Sequence, residues 1–183
     1  AASDVYKRQL SSNQTLALLD SGKIDIGLVA HPESLRTLDF YSLGTIQYIF
    51  VASPVYLANL DLKQGEMISG RQLFEKATLM LLDKHNMTRQ YIDDYLTANH
   101  LQTHHTIETT SMELLIEFAK IGLGVGCVIK EFVQEELEKG QLLEIPLDIP
   151  IHRREIGFTY VKKRRQEKAV QHFIDFYKSA KEN

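Results

Sequence analysis

Three hydroxyl-bearing segments stand where chemistry is most accessible: Ser11-Ser12, Thr88 and Thr110-Ser111. Each opens a stretch with helical periodicity and follows or replaces the end of an apolar run. The first N–H groups of a helix lack intrahelical acceptors and carry the positive end of its macrodipole. A helix start is therefore an anion site when several converge on one cleft. Taken singly, each hydroxyl is an N-cap.

The remaining reactive residue types carry less. His100, His104 and His105 form a histidine cluster, but they straddle a helix end and the loop after it. No cysteine or carboxylate at ligand spacing joins them, so they read as a solvated loop and no metal site is expected. Asp93-Asp94 and Glu135-Glu136 are adjacent on helices, where neighbouring side chains diverge by about 100°, which makes them solvated faces and not catalytic dyads. Cys127 lies in an apolar run with no base beside it and reads as a buried structural thiol. Gly122 ends a helix, whereas dinucleotide-binding glycines open one, so Gly122, Gly124 and Gly126 read as a helix cap followed by a closely packed strand. The basic block Lys162-Lys163-Arg164-Arg165 has no interleaved aromatics and reads as a solvated connection. The chain contains neither a phosphate-binding loop nor a nucleophile elbow. No nucleophile is paired with a base, so no catalytic residue, no enzyme activity and no cofactor are expected.

The elements that must hold these residues alternate between helix and strand. SSNQTLALLDSG has capping-box spacing between Ser11 and Gln14 and ends at Gly22. KIDIGLVA follows as a nearly continuous apolar run, the pattern of a strand covered on both faces. LGTIQYIFVAS reads as one strand region closed by Pro54, with a short helix over residues 70–76 and a buried strand in ATLMLLD. HNMTRQYIDDYLTANH and SMELLIEFAKIG have helical period, HHTIETT and LGVGCVI read as strands, and KEFVQEELEKG as a helix ended by Gly140. LLEIPL and EIGFTYVKK read as strands. EKAVQHFIDFYKSAK closes the chain as an amphipathic helix with Val170, Phe173, Ile174 and Tyr177 inward. Residues 5–10 fit the tail of a strand. This alternation is that of an α/β fold.

Composition narrows the class further. The chain has 183 residues, 44% of them hydrophobic, and 21 basic against 24 acidic side chains give a net charge of −3. That balance argues against nucleic-acid binding by these residues alone. A lone cysteine allows no internal disulfide, and no apolar run approaches the ~20 residues of a membrane helix. Residues 1–9 lack the apolar core of an export leader, so a cytoplasmic setting without membrane contact is expected.

Three segments, LLDSGKIDIGLVA, LMLLDKHNMTRQYIDDYL and SMELLIEFAKIGLGVGCVIKEFVQEELEKGQLLEIPL, resemble the effector-binding domain of LysR-type transcriptional regulators. Leu18, Leu19, Gly22, Ile24 and Asp25 match one family pattern. Gly122 to Gly126, Glu136, Leu137, Gly140 and Leu142 match another, and FIDF at 173–176 resembles the closing helix. The resemblance spans about residues 10–180. It implies a two-lobed fold like that of periplasmic binding proteins, each lobe a mixed sheet flanked by helices, with two crossing strands between them. The implied lobes are 10–52 plus 156–183 and 53–155. A small, possibly anionic effector is implied between them, met by Ser12, His31 and Pro32 from the first lobe and by Thr88, Arg89 and Ser111 from the second. In this reading Arg89 pairs an oxyanion while the hydroxyls donate hydrogen bonds. The family's helix-turn-helix, linker helix, and opening strand and helix are absent, so the chain reads as an N-terminally truncated effector domain. DNA binding is then expected only through the missing N-terminal domain, with self-association as a dimer or tetramer. A transporter's solute-binding protein shares this architecture and is the alternative.

Overall fold

The computed structural model describes residues 12–32, 34–60, 62, 67–164 and 167–181. The strand tail expected over 5–10, and Ser11 with its capping box, lie outside them. Contacts divide the chain into two compact units: residues up to Gly44 together with those from Glu155 on, and Thr45–Arg154.

The first unit contains α1 (Ser12–Asp20), β1 (Gly27–Ala30) and β2 (Leu38–Ile46, which runs past Gly44). Near the C-terminus come two further elements. These are the strand Arg154–Val161, numbered β8 in chain order, and the helix Lys168–Lys181, numbered α7. The sheet order is β1-β8-β2, with β8 antiparallel to β1. Helix α1 presses on β1 so closely that a Cβ at Gly27 would lie 2.3 Å from Thr15 Cγ2. It ends at Gly22, whose φ of 67° admits the left-handed turn that bonds Lys23 N to Leu18 O at 2.9 Å. Helix α7 buries Val170 and Ile174 against Tyr160. Phe173 is 39% exposed, although the sequence pattern turns it inward; it packs edge-on to Phe158 at 4.8 Å. Strand β1 also departs from expectation. It is four residues long and Leu28 is exposed, so it is not covered on both faces as an unbroken apolar run suggests.

The second unit begins with β3 (Tyr48–Ala52) and α2 (Pro54–Asn59), then α3 (Gly70–Lys76), β4 (Thr78–Leu82) and α4 (Met87–Ala98). It continues through β5 (His105–Thr109), α5 (Met112–Lys120), β6 (Val125–Ile129), α6 (Gln134–Glu138) and β7 (Leu143–Glu144). The sheet order is β5-β4-β6-β3-β7. β4 runs parallel to β5 and β6, while β3 is antiparallel to β6 and β7. This mixed sheet is covered on both faces. Leu79 and Leu81 of β4 pack with Ile92 and Leu96 of α4, and Met80 and Leu82 pack with Leu115, Ile116 and Ala119 of α5. The period-2 alternation of a strand thus separates two cores.

Several boundaries differ from the sequence reading. The single strand region over 43–53 is two strands broken at Gln47. The second of them, β3, lies in the sheet of the second unit, although the sequence reading ran the first lobe to residue 52. Pro54 opens a helix, with Ser53 as the cap accepting from Tyr56 N at 3.3 Å. KEFVQEELEKG divides into a 3-10 turn at Lys130–Phe132 and α6. LLEIPL keeps only two strand residues before Pro146, which has no N–H for a ladder.

Candidate ligand-binding site

The carboxyl ends of β4 and β5 set the site's geometry in the second unit. The pairing continues one residue past β4, with Asp83 N donating to O of Thr109, the last residue of β5, at 3.0 Å. From these adjacent ends the chain leaves in opposite directions, since α4 and α5 cover opposite faces. In open α/β sheets such a divergence leaves a crevice beyond the strand ends, where ligands bind.

Two of the hydroxyl residues picked from the sequence sit here. Ser111 caps α5, accepting from Leu114 N at 3.5 Å, while Ser111 N donates to Thr109 Oγ1 at 3.4 Å. Thr88 does not cap α4. Asn86 does, through Oδ1 accepting from Thr88 N at 2.9 Å. Asn86 is a preferred cap residue two positions earlier, and that signal was available in the sequence. Thr88 is thereby freed for a tertiary contact: its Oγ1 lies 3.0 Å from the Tyr48 hydroxyl.

Tyr48 begins β3 and is almost wholly buried. Burial raises the pKa of its hydroxyl, which the hydrogen bond to Thr88 and the charge of Arg154 only partly offset. Its ring lies 5.6 Å from that of Tyr91, whose hydroxyl donates to His152 O at 3.0 Å. The Arg154 guanidinium stacks 4.9 Å over the Tyr91 ring, and its charge lowers the Tyr48 pKa in part. Tyr48, Tyr91 and Arg154 were not singled out from sequence, because nothing local links residues so far apart.

Arg89 departs most from its expected role. Only 7% exposed, it donates from Nε to Asp93 Oδ1 at 2.8 Å and from Nη1 to Glu108 Oε1 at 2.8 Å and Leu82 O at 2.9 Å. Burial lowers the pKa of the guanidinium, and the two carboxylates more than restore it, leaving it raised. Arg89 therefore ties α4 to β4 and β5, and a ligand oxyanion would compete with two carboxylates already in place.

In the first unit, Ser12 opens α1, and its side chain is outside the described ones. His31 follows β1, donates from its backbone N to Glu155 O at 2.8 Å, and packs its ring against Phe40 at 4.6 Å. Pro32 beside it is buried.

The other candidates fall into structural roles. His100 and His104 line an open groove of about 330 Å³ with Arg71, Glu75 and Gln102, and His105 pairs with Thr78 in the sheet. Among the described residues no group of His, Cys, Asp and Glu is placed to hold a metal ion. Cys127 is buried, which raises its thiol pKa. A Cβ at Gly124 would lie 2.5 Å from Thr78 O, and one at Gly126 2.6 Å from Leu115 Cδ2, so both glycines serve close packing. Lys162 donates to Leu35 O at 2.7 Å, and Arg164 pairs with Asp25 at 2.7 Å and Glu167 at 3.2 Å. Glu135 pairs with Lys139, whereas Asp93, expected on a solvated face, is half-buried against Arg89. Among the described residues no helix is long and apolar enough to cross a membrane.

Comparisons with known proteins agree with this architecture. The family model of the LysR substrate binding domain matches residues 4–182. The HTH-type transcriptional regulator YeiE of Escherichia coli strain K12 is 24% identical over 164 residues, which is 87% of this chain and 52% of that protein. The chain thus spans about half the length of that relative. The regulatory domain of Synechocystis PCC6803 CcmR, in complex with 2-PG, superposes with a TM-score of 0.78 at 15% identity, covering 94% of this chain and 81% of the other. The effector binding domain of QuiR, in complex with shikimate, does so with a TM-score of 0.73 at 16% identity, covering 92% and 77%. At these identities the likeness is one of fold. With the family model matched along nearly its whole length, the chain belongs to the LysR substrate binding domain family.

Proposed function

We propose that this chain is the ligand-sensing domain of a LysR-type transcriptional regulator and is not an enzyme. The observation that carries the reading is the meeting of two helix starts at the carboxyl ends of β4 and β5, with the Thr88 and Ser111 hydroxyls at that edge. Among the described residues neither hydroxyl is paired with a base: Thr88 meets Tyr48, and Ser111 meets a backbone N–H. That is an arrangement for holding a small molecule, not for activating a nucleophile.

The candidate ligand contacts of the second unit are Thr88 and Ser111; those of the first unit, by family resemblance alone, are Ser12, His31 and Pro32. Arg89 acts by holding the start of α4 in place. In the whole regulator, DNA is bound by a helix-turn-helix segment outside these residues, in the cytoplasm, with the protein self-associated as a dimer or tetramer. Ligand binding biases that assembly only through a difference in affinity between its states.

Shikimate and 2-PG, held by two structural neighbours, are the first compounds to test by calorimetry, followed by amino acids and dicarboxylates. A ligand at a hundred times its Kd stabilises the fold by about 2.7 kcal/mol, a thermal shift of several degrees at this size. The expected result is binding that Thr88→Val weakens while the chain stays folded. Unchanged affinity in that variant would remove Thr88 from the site.

A further inference from the structure

The groove beside His100 is separate from the Thr88 edge. Thr88 stands in the first turn of α4 and His100 just beyond its end, so the helix places about 18 Å between them. The groove also lies at the opposite end of the sheet, since His105, next to His104, pairs with Thr78, the first residue of β4. Leu101 fixes its position. That side chain is buried, and a Cβ at Gly70 would lie 3.2 Å from both of its methyl carbons, which holds the turn after α4 against the start of α3. His100 N donates to Thr97 O at 3.1 Å and Leu101 N to Leu96 O at 2.9 Å, a turn that puts residue 100 in the left-handed region. After α1, α5 and α6 that place goes to Gly22, Gly122 and Gly140; His100, with a φ of 53°, is the one non-glycine among the described residues to take it. An imidazole thus stands at the groove where glycine would be the less strained choice.

Arg71 and Glu75 stand one turn apart on α3 and line the groove with His100, Gln102 and His104. The same spacing pairs Arg89 with Asp93 and Glu135 with Lys139. Arg71 and Glu75 do not pair, and among the described residues none of the five lining side chains has a hydrogen-bond or ion-pair partner. A groove of about 330 Å³ therefore offers a guanidinium fork, a carboxylate, an amide and two imidazoles at once. An anion alone would face Glu75, and a cation alone would face Arg71; a molecule carrying both charges satisfies the two together. We propose that this groove is a second ligand site, independent of the Thr88 edge, and that it binds a small amino acid. The carboxylate lies on the Arg71 fork and the ammonium against Glu75, with the imidazoles and the Gln102 amide completing the hydrogen bonds.

The test titrates the 183-residue chain with glycine, γ-aminobutyrate, acetate and ethylammonium. Calorimetry gives affinity, and the imidazole ring protons in NMR spectra give location. His100→Asn, which tolerates the left-handed backbone, and His104→Gln assign the two signals. The affinity variants are Arg71→Met, Glu75→Gln and Thr88→Val. Arg71 and Glu75 are exposed, so their variants are expected to melt with the parent. Glycine or γ-aminobutyrate is expected to bind the parent and move both imidazole signals, with acetate and ethylammonium at least tenfold weaker. Arg71→Met is expected to weaken binding of the amino acid at least tenfold. Glu75→Gln is expected to reverse the preference, so that acetate binds more tightly than the amino acid. If neither amino acid moves either signal at tens of millimolar, the groove is not a ligand site. If acetate binds the parent as tightly as the amino acids do, the ligand class is wrong. If Thr88→Val abolishes amino-acid binding while Arg71→Met and Glu75→Gln keep it, the ligand occupies the Thr88 edge: the second site falls and the reading of that edge stands.

Discussion

Arg89 Nη1 lies 2.8 Å from Glu108 Oε1, joining the first turn of α4 to the edge strand β5. The same guanidinium holds Asp93 one turn further along the helix and the last carbonyl of β4. One buried side chain thus fixes the position from which Thr88 reaches Tyr48.

Removing that guanidinium leaves Glu108, Asp93 and the Leu82 carbonyl short of donors. Both carboxylates are more than two-fifths exposed and can regain water. The cost of Arg89→Met is therefore expected at about 1.5–3 kcal/mol, below that of a fully buried broken pair. Urea unfolding checks it, and a loss under about 0.5 kcal/mol would mean the pairs add little beyond surface bridges.

Tyr48 and Thr88 are expected to be coupled. Thr88→Val leaves the buried Tyr48 hydroxyl without that partner, and Tyr48→Phe leaves the Thr88 hydroxyl without its own. Each single change is expected to cost about 1–2 kcal/mol. The double variant should cost less than the sum by about 1 kcal/mol, as residues in one hydrogen bond do. Strict additivity in a denaturation cycle would show that the contact contributes nothing to stability.

Two glycine-to-alanine changes separate close packing from backbone strain. At Gly124 an added Cβ meets the Thr78 carbonyl oxygen at 2.5 Å, and a strand backbone cannot step aside, so about 1–3 kcal/mol is expected. At Gly140 the space is open and only the φ of +67° opposes alanine, for about 1 kcal/mol. Melting temperatures of the two variants should rank in that order.

Tyr95 gives an alkaline prediction. Its hydroxyl donates to Ile149 O at 2.6 Å, and burial followed by the nearby Asp148 charge raises its pKa from 10 to about 12. The unfolded chain loses this proton near pH 10 while the folded chain keeps it. The contribution is fully present below pH 10 and is lost as pH rises toward 12. Tyr95→Phe should therefore flatten the decline of the urea midpoint between pH 10 and 12, and phenolate absorbance should place one tyrosine late in the titration. An unchanged decline in the variant would assign it to other groups.

Much of this organisation is local and was readable from residue types. Helix periodicity, the Gly22 and Gly122 turns and the β4 run are set by neighbours within four positions, so α1, α4, α5, β4 and β6 fall close to where their patterns put them. Gly122 ends a helix where the pattern put its close, and Gly124 and Gly126 lie in the closely packed run after it. Local signals misled where a residue has two uses. Pro54 stops a strand and equally starts a helix, and Thr88 has the chemistry of a cap while Asn86 holds the position. The partners of Arg89 were not readable at all, since Glu108 comes from another strand and an arginine's charge says nothing of which carboxylate will neutralise it.

Pattern and composition alone were enough to specify the α/β class and the helices α1, α4 and α5, because a hydrogen-bonded turn and an amphipathic stripe are written in consecutive residues. Tertiary packing decided that Arg89 is a tie within the fold, that Tyr48 meets Thr88, and that Arg154 stacks on Tyr91 from 63 positions away. Those contacts depend on which strands lie side by side, and strand order follows from burying two apolar faces at once, a condition no short segment can satisfy by itself.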